Sequence, residues 1–358
     1  MNFYKIFRPL IFKLDAEITH NLAIKFLKFM PKAATLFCFN RHYENLQTKL
    51  WDIDFANPIG LAAGFDKNAE VINALSKFGF GFLEIGTVTP RMQIGNVKPR
   101  LFRLCEDEAI INRLGFNNLG AENFAKNLEK AMPQISCALG VNIGKNKDTE
   151  DMLVDYLTLL KKFYTKATYI TVNISSPNLK NLRDLQGGEK LDPFLSEVMK
   201  KKNELQNRCK RNVPILLKIA PDLTSDEQEK IAEIALKNKV DGLIISNTTI
   251  SRDPNLKSGY AAEVGGLSGK PLFEQSNQVL KNIYKFTAGK IPIIGVGGIS
   301  SAADAYEKIK CGASLVQIYS AFVYEGFGLV EKIKKDLSAL VKKDGLKNIS
   351  QAVGFYSK

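Results

Sequence analysis

From residue 59 onward, short apolar runs of β-forming residues alternate with longer polar segments of helical periodicity. This alternation is typical of consecutive βα units, which build a parallel sheet. The eight runs are "IGLAA" (59–63), "FLEIG" (82–86), "ALGVNI" (138–143), "YITVNI" (169–174), "ILLKI" (215–219), "GLIIS" (242–246), "PIIGV" (292–296) and "LVQIY" (315–319). Eight parallel strands with crossover helices predict a closed (β/α)8 barrel of the α/β class, the TIM barrel. We expect "LFRLC" and "AIIN" to form an extra hairpin after the second strand.

Polar residues follow nearly every run, in segments such as "AGFDKN", "TVTPR", "GKNKD", "SSPN", "NTT", "GGIS" and "SAF". In a (β/α)8 barrel, active sites lie just beyond this end of the strands. The fifth run carries Lys218 within its apolar sequence, where a lysine is costly unless it meets an anion. The pattern therefore indicates a binding or catalytic site at one end of the barrel.

The composition is that of a globular chain with a large core, since 45% of its 358 residues are hydrophobic and 24% are charged. Its five cysteines occur singly, which argues against a zinc site and a disulfide framework, and no metal is predicted. No run of about 18 uncharged apolar residues and no secretory cleavage site occurs, so we expect the chain on the cytoplasmic side. The net charge of +13 favours nucleic acid, a phosphorylated cofactor or an anionic membrane, or only a solvated basic surface.

The first 45 residues differ from the barrel sequence and are predicted to form a separate helical segment, 1–45, before a catalytic domain, 46–358. Asp15 can cap a helix that runs to Met30, on which Ile18, Leu22, Phe26 and Met30 recur every four residues. A basic, phenylalanine-rich amphipathic helix is typical of a surface that lies in a membrane interface. An ordinary helix that packs this stripe on the barrel fits the periodicity equally well.

The stretch "GVGGISSAADA" (295–305) places paired glycines after the seventh strand. Such glycines let a phosphate approach the backbone at the start of a helix, although a plain glycine turn has the same sequence. In barrels this loop and the one after strand eight form the recurrent phosphate site, so Gly298, Tyr319 and Ser320 are candidates. Asn142, Asn173 and Lys218 are suited to a flavin, because amides can contact its ring edge and a cation can stabilise its reduced form.

Nine motifs in order resemble one family: "AAGFDKN", "EIGTVTPRMQIGNVKPRLFRL", "INRLGFNN", "NIGKNK", "NISSPN", "LLKIAPDL", "SNTT", "GGLSGKPL" and "IIGVGGI…GASLVQIYSAF". The chain is similar over essentially its whole length to the class 2, quinone-dependent dihydroorotate dehydrogenases. The resemblance implies oxidation of (S)-dihydroorotate to orotate in de novo pyrimidine (UMP) biosynthesis. It implies FMN as cofactor, ubiquinone or menaquinone as electron acceptor, and a monomer bound peripherally to the cytoplasmic side of the inner membrane, at an anionic surface, with no nucleic-acid partner.

The resemblance also implies roles for individual residues. FMN would be held by Ala63, Gly64, Phe65, Asp66, Lys67, Thr87, Asn142, Asn173, Lys218, Ser246, Gly269, Gly298, Tyr319 and Ser320. Dihydroorotate would be bound by Lys67, Asn112, Arg113, Leu114, Gly115, Phe116, Asn173, Asn178, Asn247 and Thr248. Ser176 matches the family's catalytic base, and His20 and Arg103 match polar groups near the quinone head.

"NISSPN" (173–178) then has a chemical reason, because a base that takes the C5 proton must face the flavin across the substrate. The family usually has threonine directly after "SSPN", where it assists the proton relay, whereas this chain has Leu179. We predict that a water or another hydroxyl replaces it.

Three other hypotheses remain. Cytosolic relatives that use fumarate or NAD have a cysteine base and lack the N-terminal helices. An FMN barrel that reduces uridine in tRNA would suit the +13 charge but needs an acid cysteine near the flavin and an RNA-binding extension. The last is a peripheral membrane barrel that has lost its activity.

Overall fold

The computed structural model describes residues 3–31, 40–179 and 182–357. Its strands are β1 (Thr48–Leu50), β2 (Ile53–Phe55), β3 (Ile59–Leu61), β4 (Phe82–Val88), β5 (Leu101–Leu104), β6 (Ala109–Asn112), β7 (Ala138–Ile143), β8 (Tyr169–Asn173), β9 (Ile215–Ile219), β10 (Gly242–Ile245), β11 (Gly266–Gly269), β12 (Ile293–Val296) and β13 (Ala313–Ile318). Strands β3, β4, β7, β8, β9, β10, β12 and β13 pair in parallel, in this order, and close into a barrel. The predicted (β/α)8 barrel and all eight of its strands are confirmed.

Two N-terminal helices, α1 (Phe3–Ile11) and α2 (Ala16–Phe29), precede the barrel. The other helices lie outside or above the barrel and span Ile72–Leu75, Gly120–Ala131, Met152–Phe163, Gly188–Cys209, Ser225–Lys237, Phe273–Phe286, Ala302–Lys310, Ser320–Glu325 and Leu329–Lys343. The strands are buried on both faces, β9 over its whole length, and for that reason they appear in the sequence as continuous apolar runs.

The N-terminal end of the barrel is filled and covered. The antiparallel pair β1–β2 carries Phe55, whose ring packs edge-on against Phe82 with 5.7 Å between centroids. A Cβ at Gly60 would lie 2.3 Å from the Phe82 ring, so glycine is needed opposite this aromatic side chain. Because aromatic rings fill this end, a large ligand must bind at the C-terminal end of the strands.

A small antiparallel sheet lies above the C-terminal end. The predicted hairpin is present as β5 and β6, and β11 pairs with β6 as a third strand that the sequence did not reveal. This pairing brings Gly269 next to Ala109. A Cβ at Gly269 would lie 2.4 Å from the carbonyl oxygen of Glu108, so glycine permits the close contact.

The predicted helix at the N-terminus is confirmed as α2, and the Asp15 carboxylate caps it by accepting the N–H groups of Glu17 and Ile18, both at 2.9 Å. Its stripe does not pack on the barrel: Ile18, Leu22, Phe26 and Met30 are 54%, 50%, 41% and 53% exposed. Parts of the predicted 1–45 segment, residues 1–2 and 32–39, lie outside the described residues. Within the described ranges, no helix combines the length and hydropathy that crossing a bilayer requires.

Candidate active site

A cavity opens at the C-terminal end of the barrel strands, and the empty space in it and in its mouth is about 1240 Å³. Predicted site residues that line it are Ala63, Gly64, Lys67, Thr87, Asn112, Leu114, Gly115, Phe116, Asn173, Ser176, Asn178, Lys218, Ser246, Asn247, Thr248, Gly269, Gly298, Tyr319 and Ser320. Strands, loops and the added sheet thus bring most of the sequence-predicted residues to one place.

Thr87 and Asn173 form the floor of this cavity and are hydrogen-bonded to the buried Asn142. Thr87 donates its hydroxyl hydrogen to the amide oxygen of Asn142 at 2.6 Å. The Asn173 amide donates to both the Thr87 hydroxyl and the Asn142 amide oxygen, each at 3.2 Å. Asn142 itself is fully buried and does not line the cavity, so it orients Thr87 and Asn173 rather than facing a ligand.

A buried carboxylate, Glu84, organises the barrel interior beneath this floor. It accepts hydrogen bonds from Asn142 at 2.7 Å, from Gln317 at 2.8 Å and from the Tyr169 hydroxyl at 3.1 Å. Burial lowers the pKa of Lys218, and the Glu84 charge opposes that shift. Lys218 therefore presents a poorly solvated cation to the cavity, which an anionic or electron-rich ligand would stabilise.

Ser176 lies on the loop after β8 and is 4% exposed. Its hydroxyl oxygen accepts the backbone N–H of Asn178 at 3.3 Å, and the Asn178 amide donates to the Asn112 amide oxygen at 3.2 Å. On the other side of the loop, Asn247 donates to the Ser175 hydroxyl at 3.0 Å. The loop that carries Ser176 is thus held by Asn112 on one side and by Asn247 on the other, and Ser176 lines the cavity.

Lys67 gives the cavity a second cation. Burial is the main cause that lowers its pKa to about 8, with the Glu17 charge acting against the shift. The Asp66 side chain does not reach the cavity, because its carboxylate accepts the N–H groups of Glu70 at 2.9 Å and Val71 at 2.8 Å. Asp66 therefore shapes the loop that presents Lys67.

Two other predicted residues lie away from the cavity. Arg113 points to the Glu263 carboxylate, 2.6 Å away, and stacks over Phe102. Phe65 packs its ring against Tyr319 and against His20, with centroids 6.3 and 5.3 Å apart. We find no ligand-facing atom on either side chain.

The residues predicted for the quinone lie where the N-terminal helices meet the barrel. His20 contacts Phe65, which also packs against Tyr319, a residue that lines the cavity. Burial, and then the Lys67 charge, lower the His20 pKa to about 3, so the imidazole is neutral at physiological pH. Arg103 lies over the Phe12 ring and donates to the carbonyl oxygens of Phe12 and Leu14 in the α1–α2 turn.

The glycine loop after β12 has a left-handed backbone conformation that favours glycine. Gly297 and Gly298 have φ angles of 117° and 74°, and a Cβ at Gly298 would lie 2.5 Å from that of Phe273. Ser320, from the adjacent loop, shares a 2.9 Å hydrogen bond with Ser268. Backbone N–H groups and hydroxyls at such a loop are suited to a phosphate.

Sequence reasoning missed several lining residues, among them Asn117, Ser268, Lys270, Ser300 and Gln317. Gln317 carried a usable signal, because a polar residue inside the apolar run "LVQIY" is as unusual as Lys218 in "ILLKI". Glu84 in "FLEIG" carried the same signal. Ser268 carried none, since it reaches the cavity through β11.

Comparison with known proteins decides the family. A family model described as dihydroorotate dehydrogenase matches residues 45–341. The chain belongs to the dihydroorotate dehydrogenase family. It is 49% identical over 356 residues to a dihydroorotate dehydrogenase (quinone) of Rhodospirillum rubrum, covering 99% of this chain and 94% of that protein. It is 51% identical over 337 residues to one of Vibrio vulnificus, covering 93% and 99%.

A solved structure shares the fold. The crystal structure of a DHODH (dihydroorotate dehydrogenase) of Eimeria tenella in complex with ferulenol superposes with a TM-score of 0.91 at 38% identity, covering 96% of each chain. The relatives place this chain in the quinone-dependent class, and it is an oxidoreductase.

Proposed function

We propose that this chain oxidises dihydroorotate to orotate in pyrimidine biosynthesis, with FMN as cofactor and a quinone as electron acceptor. The observation that carries the proposal is that Ser176, Lys67 and Lys218 open onto one cavity, next to a glycine loop suited to a phosphate. Family membership supports the same reaction.

Unsatisfied groups in the cavity fit a flavin. The amide oxygens of Asn117 and Gln317 are buried and lack a hydrogen-bond partner among the described residues, and both residues line the cavity. Buried polar atoms are costly without partners, so a ligand with N–H donors is favoured there. The isoalloxazine ring offers one such donor, its N3–H group.

Residues of the chain then have distinct binding roles. Gly298, Tyr319 and Ser320 would bind the FMN phosphate, and Lys218, Thr87 and Asn173 would contact its ring. The remaining FMN candidates are the backbone of Ala63 and Gly64 together with Lys67, Ser246 and Gly269, while Phe65, Asp66 and Asn142 would support them from outside the cavity. Bound FMN would accept the hydride that leaves C6 of dihydroorotate and would later reduce a quinone.

The substrate is a small carboxylate with an imide ring. Lys67 provides a cation for the carboxylate, and the amides of Asn112, Asn173, Asn178 and Asn247 provide donors and acceptors for the imide. Ser176 would take the C5 proton. We assign Leu114, Gly115, Phe116 and Thr248 to the wall of this subsite and Arg113 to its support.

Proton removal from Ser176 needs a further acceptor, because a serine is a weak base by itself. Leu179 is buried, 4% exposed, and carries no hydroxyl. We propose that a water or another hydroxyl carries the proton onward. Leu179→Thr should change the rate at neutral pH less than threefold, whereas a tenfold rise would show that this chain lacks an equivalent route.

We further propose that segment 1–45 forms the membrane contact and quinone tunnel, and residues 46–358 the catalytic domain. The exposed apolar side chains of α2, the neutral His20 next to Phe65 and the basic charge support a peripheral protein on the cytoplasmic side of the inner membrane. We propose a monomer. Deleting 1–45 should abolish quinone reduction and leave part of the dye-linked oxidation, and equal loss of both would show that the segment is only structural.

One anaerobic experiment tests the reaction. Purified protein should show a yellow flavin band that dihydroorotate bleaches and a short-chain quinone restores. A colourless protein would refute the cofactor assignment. A yellow protein that dihydroorotate leaves unbleached would refute the substrate assignment.

A further inference from the structure

Arg183 connects three catalytic loops without reaching the cavity. Its guanidinium donates to the Ser175 carbonyl oxygen at 3.1 Å, to the Asp222 carboxylate at 2.7 Å and to the Thr248 carbonyl oxygen at 2.8 Å. These acceptors lie on the loops that follow β8, β9 and β10, respectively. One side chain thus fixes the loop of Ser176 relative to the loop that carries Asn247 and Thr248.

Asp222 extends this network on the far side. Its carboxylate accepts the Thr249 hydroxyl hydrogen, the Ser251 hydroxyl hydrogen at 3.3 Å and the Ile250 N–H at 3.3 Å. Burial pushes the Asp222 pKa upward, but the Thr249 hydrogen bond and the Arg183 charge outweigh it and lower the pKa overall. The carboxylate is therefore ionised at neutral pH and holds the loop after β10 at three points.

The pair is partly shielded, with side chains 18% and 12% exposed, and neither residue lines the cavity. Two residues of the loops that Arg183 holds do line the cavity. Ser176 directly follows Ser175, whose carbonyl oxygen accepts from Arg183, and Thr248 accepts from Arg183 itself. Any effect of Arg183 and Asp222 on the reaction must therefore arise from the way they position these loops.

We propose that Arg183 and Asp222 are positioning residues that align the base Ser176 with the substrate-binding segment Asn247–Thr248. This inference rests on the proposed function, in which Ser176 takes the C5 proton. Proton transfer needs a donor–acceptor distance of about 2.6 to 3.2 Å, and a misplacement of about 1 Å can cost about 100-fold in rate. Only arginine offers a planar set of donors that can serve three fixed acceptors at once.

The test uses Arg183→Lys and Asp222→Asn in the holoenzyme, with Asp241→Asn as the matched control. Asp241 also forms a shielded ion pair, with Lys202 at 2.6 Å and side chains 7% and 17% exposed. It lies directly before β10, at the opposite end of the barrel, and accepts the Ile215 N–H at 2.7 Å. It therefore reports the cost of losing a comparable pair far from the base.

Four quantities separate alignment from scaffold damage: the limiting rate of flavin bleaching by dihydroorotate, its isotope effect with substrate deuterated at C5, the rate of reoxidation by quinone, and the thermal unfolding midpoint. We expect Arg183→Lys and Asp222→Asn to slow bleaching at least tenfold and to raise the C5 isotope effect. Reoxidation should stay within twofold, because it does not use the base. Asp241→Asn should lower the unfolding midpoint and leave the bleaching rate within twofold.

Two results would overturn the inference. Bleaching slowed no more in Arg183→Lys and Asp222→Asn than in Asp241→Asn would show that the pair does not align the base. Equal slowing of bleaching and reoxidation, with loss of bound FMN, would show a scaffold role. If the unmodified protein is not bleached by dihydroorotate, the proposed function itself fails, and the inference fails with it.

Discussion

A shielded ion pair joins α2 to the segment before β5. The Glu17 carboxylate accepts two hydrogen bonds from the Arg100 guanidinium, at 2.7 and 3.0 Å, and the two side chains are 12% and 5% exposed. Lys98 lies 3.4 Å from the same carboxylate. Glu17→Gln keeps the shape of the side chain and removes its charge, so it tests what this pair contributes to docking.

The free energy of docking that Glu17→Gln should remove can be worked out from the geometry of this ion pair. Hydrogen bonds to charged groups contribute about 1.5 to 3 kcal/mol, and removing one member of a fully buried pair costs about 3 to 5 kcal/mol. Because the pair keeps slight exposure and glutamine can retain one neutral hydrogen bond, we expect a loss of about 2 kcal/mol. At about 1.4 kcal/mol per factor of ten, the opening equilibrium of α2 should rise about 30-fold.

Amide hydrogen exchange measures this opening directly, because exchange of protected amides follows the local opening equilibrium. Amides of α2 should exchange about 30-fold faster in Glu17→Gln, while those of the barrel strands stay unchanged. The matched control is Glu70→Gln. Glu70 also joins α2 to the barrel, through Lys28 at 2.7 Å, but these side chains are 21% and 44% exposed. A pair this exposed contributes about 0 to 1 kcal/mol, so exchange should rise less than about fivefold.

The pH dependence gives an independent check. Burial raises the Glu17 pKa, but the hydrogen bond and charge of Arg100 outweigh it, so the folded-state pKa lies below the ordinary value of 4.5. A depressed carboxyl pKa stabilises the docked state above about pH 4.5, and this contribution disappears as pH falls through the folded-state pKa. The difference between the two proteins should vanish in that range. Equal exchange of α2 in Glu17→Gln and Glu70→Gln at pH 7 would refute the reasoning.

Three further predictions concern the barrel. Ser176→Ala should slow flavin bleaching by dihydroorotate about 100-fold or more while FMN content stays within a tenth of normal, as absorbance shows, since a general base contributes about 10² to 10⁴ in rate. Gly298→Ala should purify with less than half the normal FMN, because φ is 74° and the new Cβ would meet Phe273 at 2.5 Å; full FMN content would contradict this. Burial lowers the Lys308 pKa to about 7. Between about pH 7 and 10 the folded state therefore binds fewer protons than the unfolded state. In that range the free energy of unfolding should rise with pH by up to about 1.4 kcal/mol per pH unit. In Lys308→Met, denaturant titrations should show that slope reduced by the same amount, and an unchanged slope would refute the assignment.

The barrel could be predicted because its strands are buried on both faces. Such strands appear as uninterrupted apolar runs, and the polar residues after them mark the ligand-binding end. The same pattern made it possible to predict Ser176, Lys67 and Lys218 as site residues, since each interrupts or follows an apolar run. The eight confirmed strands thus fixed the position of most site residues before any contact was known.

Other elements had no local signal. Strand β11 has the sequence "GLSG", in which two glycines and a serine favour a turn, and it is a strand only because β6 pairs with it. Arg183 and Asp222 lie 39 positions apart, and Arg183 and Thr248 lie 65 apart. No periodicity of a single segment can reveal contacts of this range, so the loop network became visible only in three dimensions.

The orientation of the helix α2 on the barrel could not be predicted from its sequence pattern. Its sequence allowed the stripe of Ile18, Leu22 and Phe26 to face either the barrel or the outside, and an amphipathic helix normally buries its apolar side. The structure places Glu17 and Leu27 inward and leaves the stripe exposed. A shielded ion pair contributes little net stability compared with buried apolar area. Packing the stripe on the barrel would therefore stabilise the folded chain more than the observed orientation does. The exposed stripe fits the membrane contact that we propose for this segment, because a membrane interface would give these side chains an apolar environment.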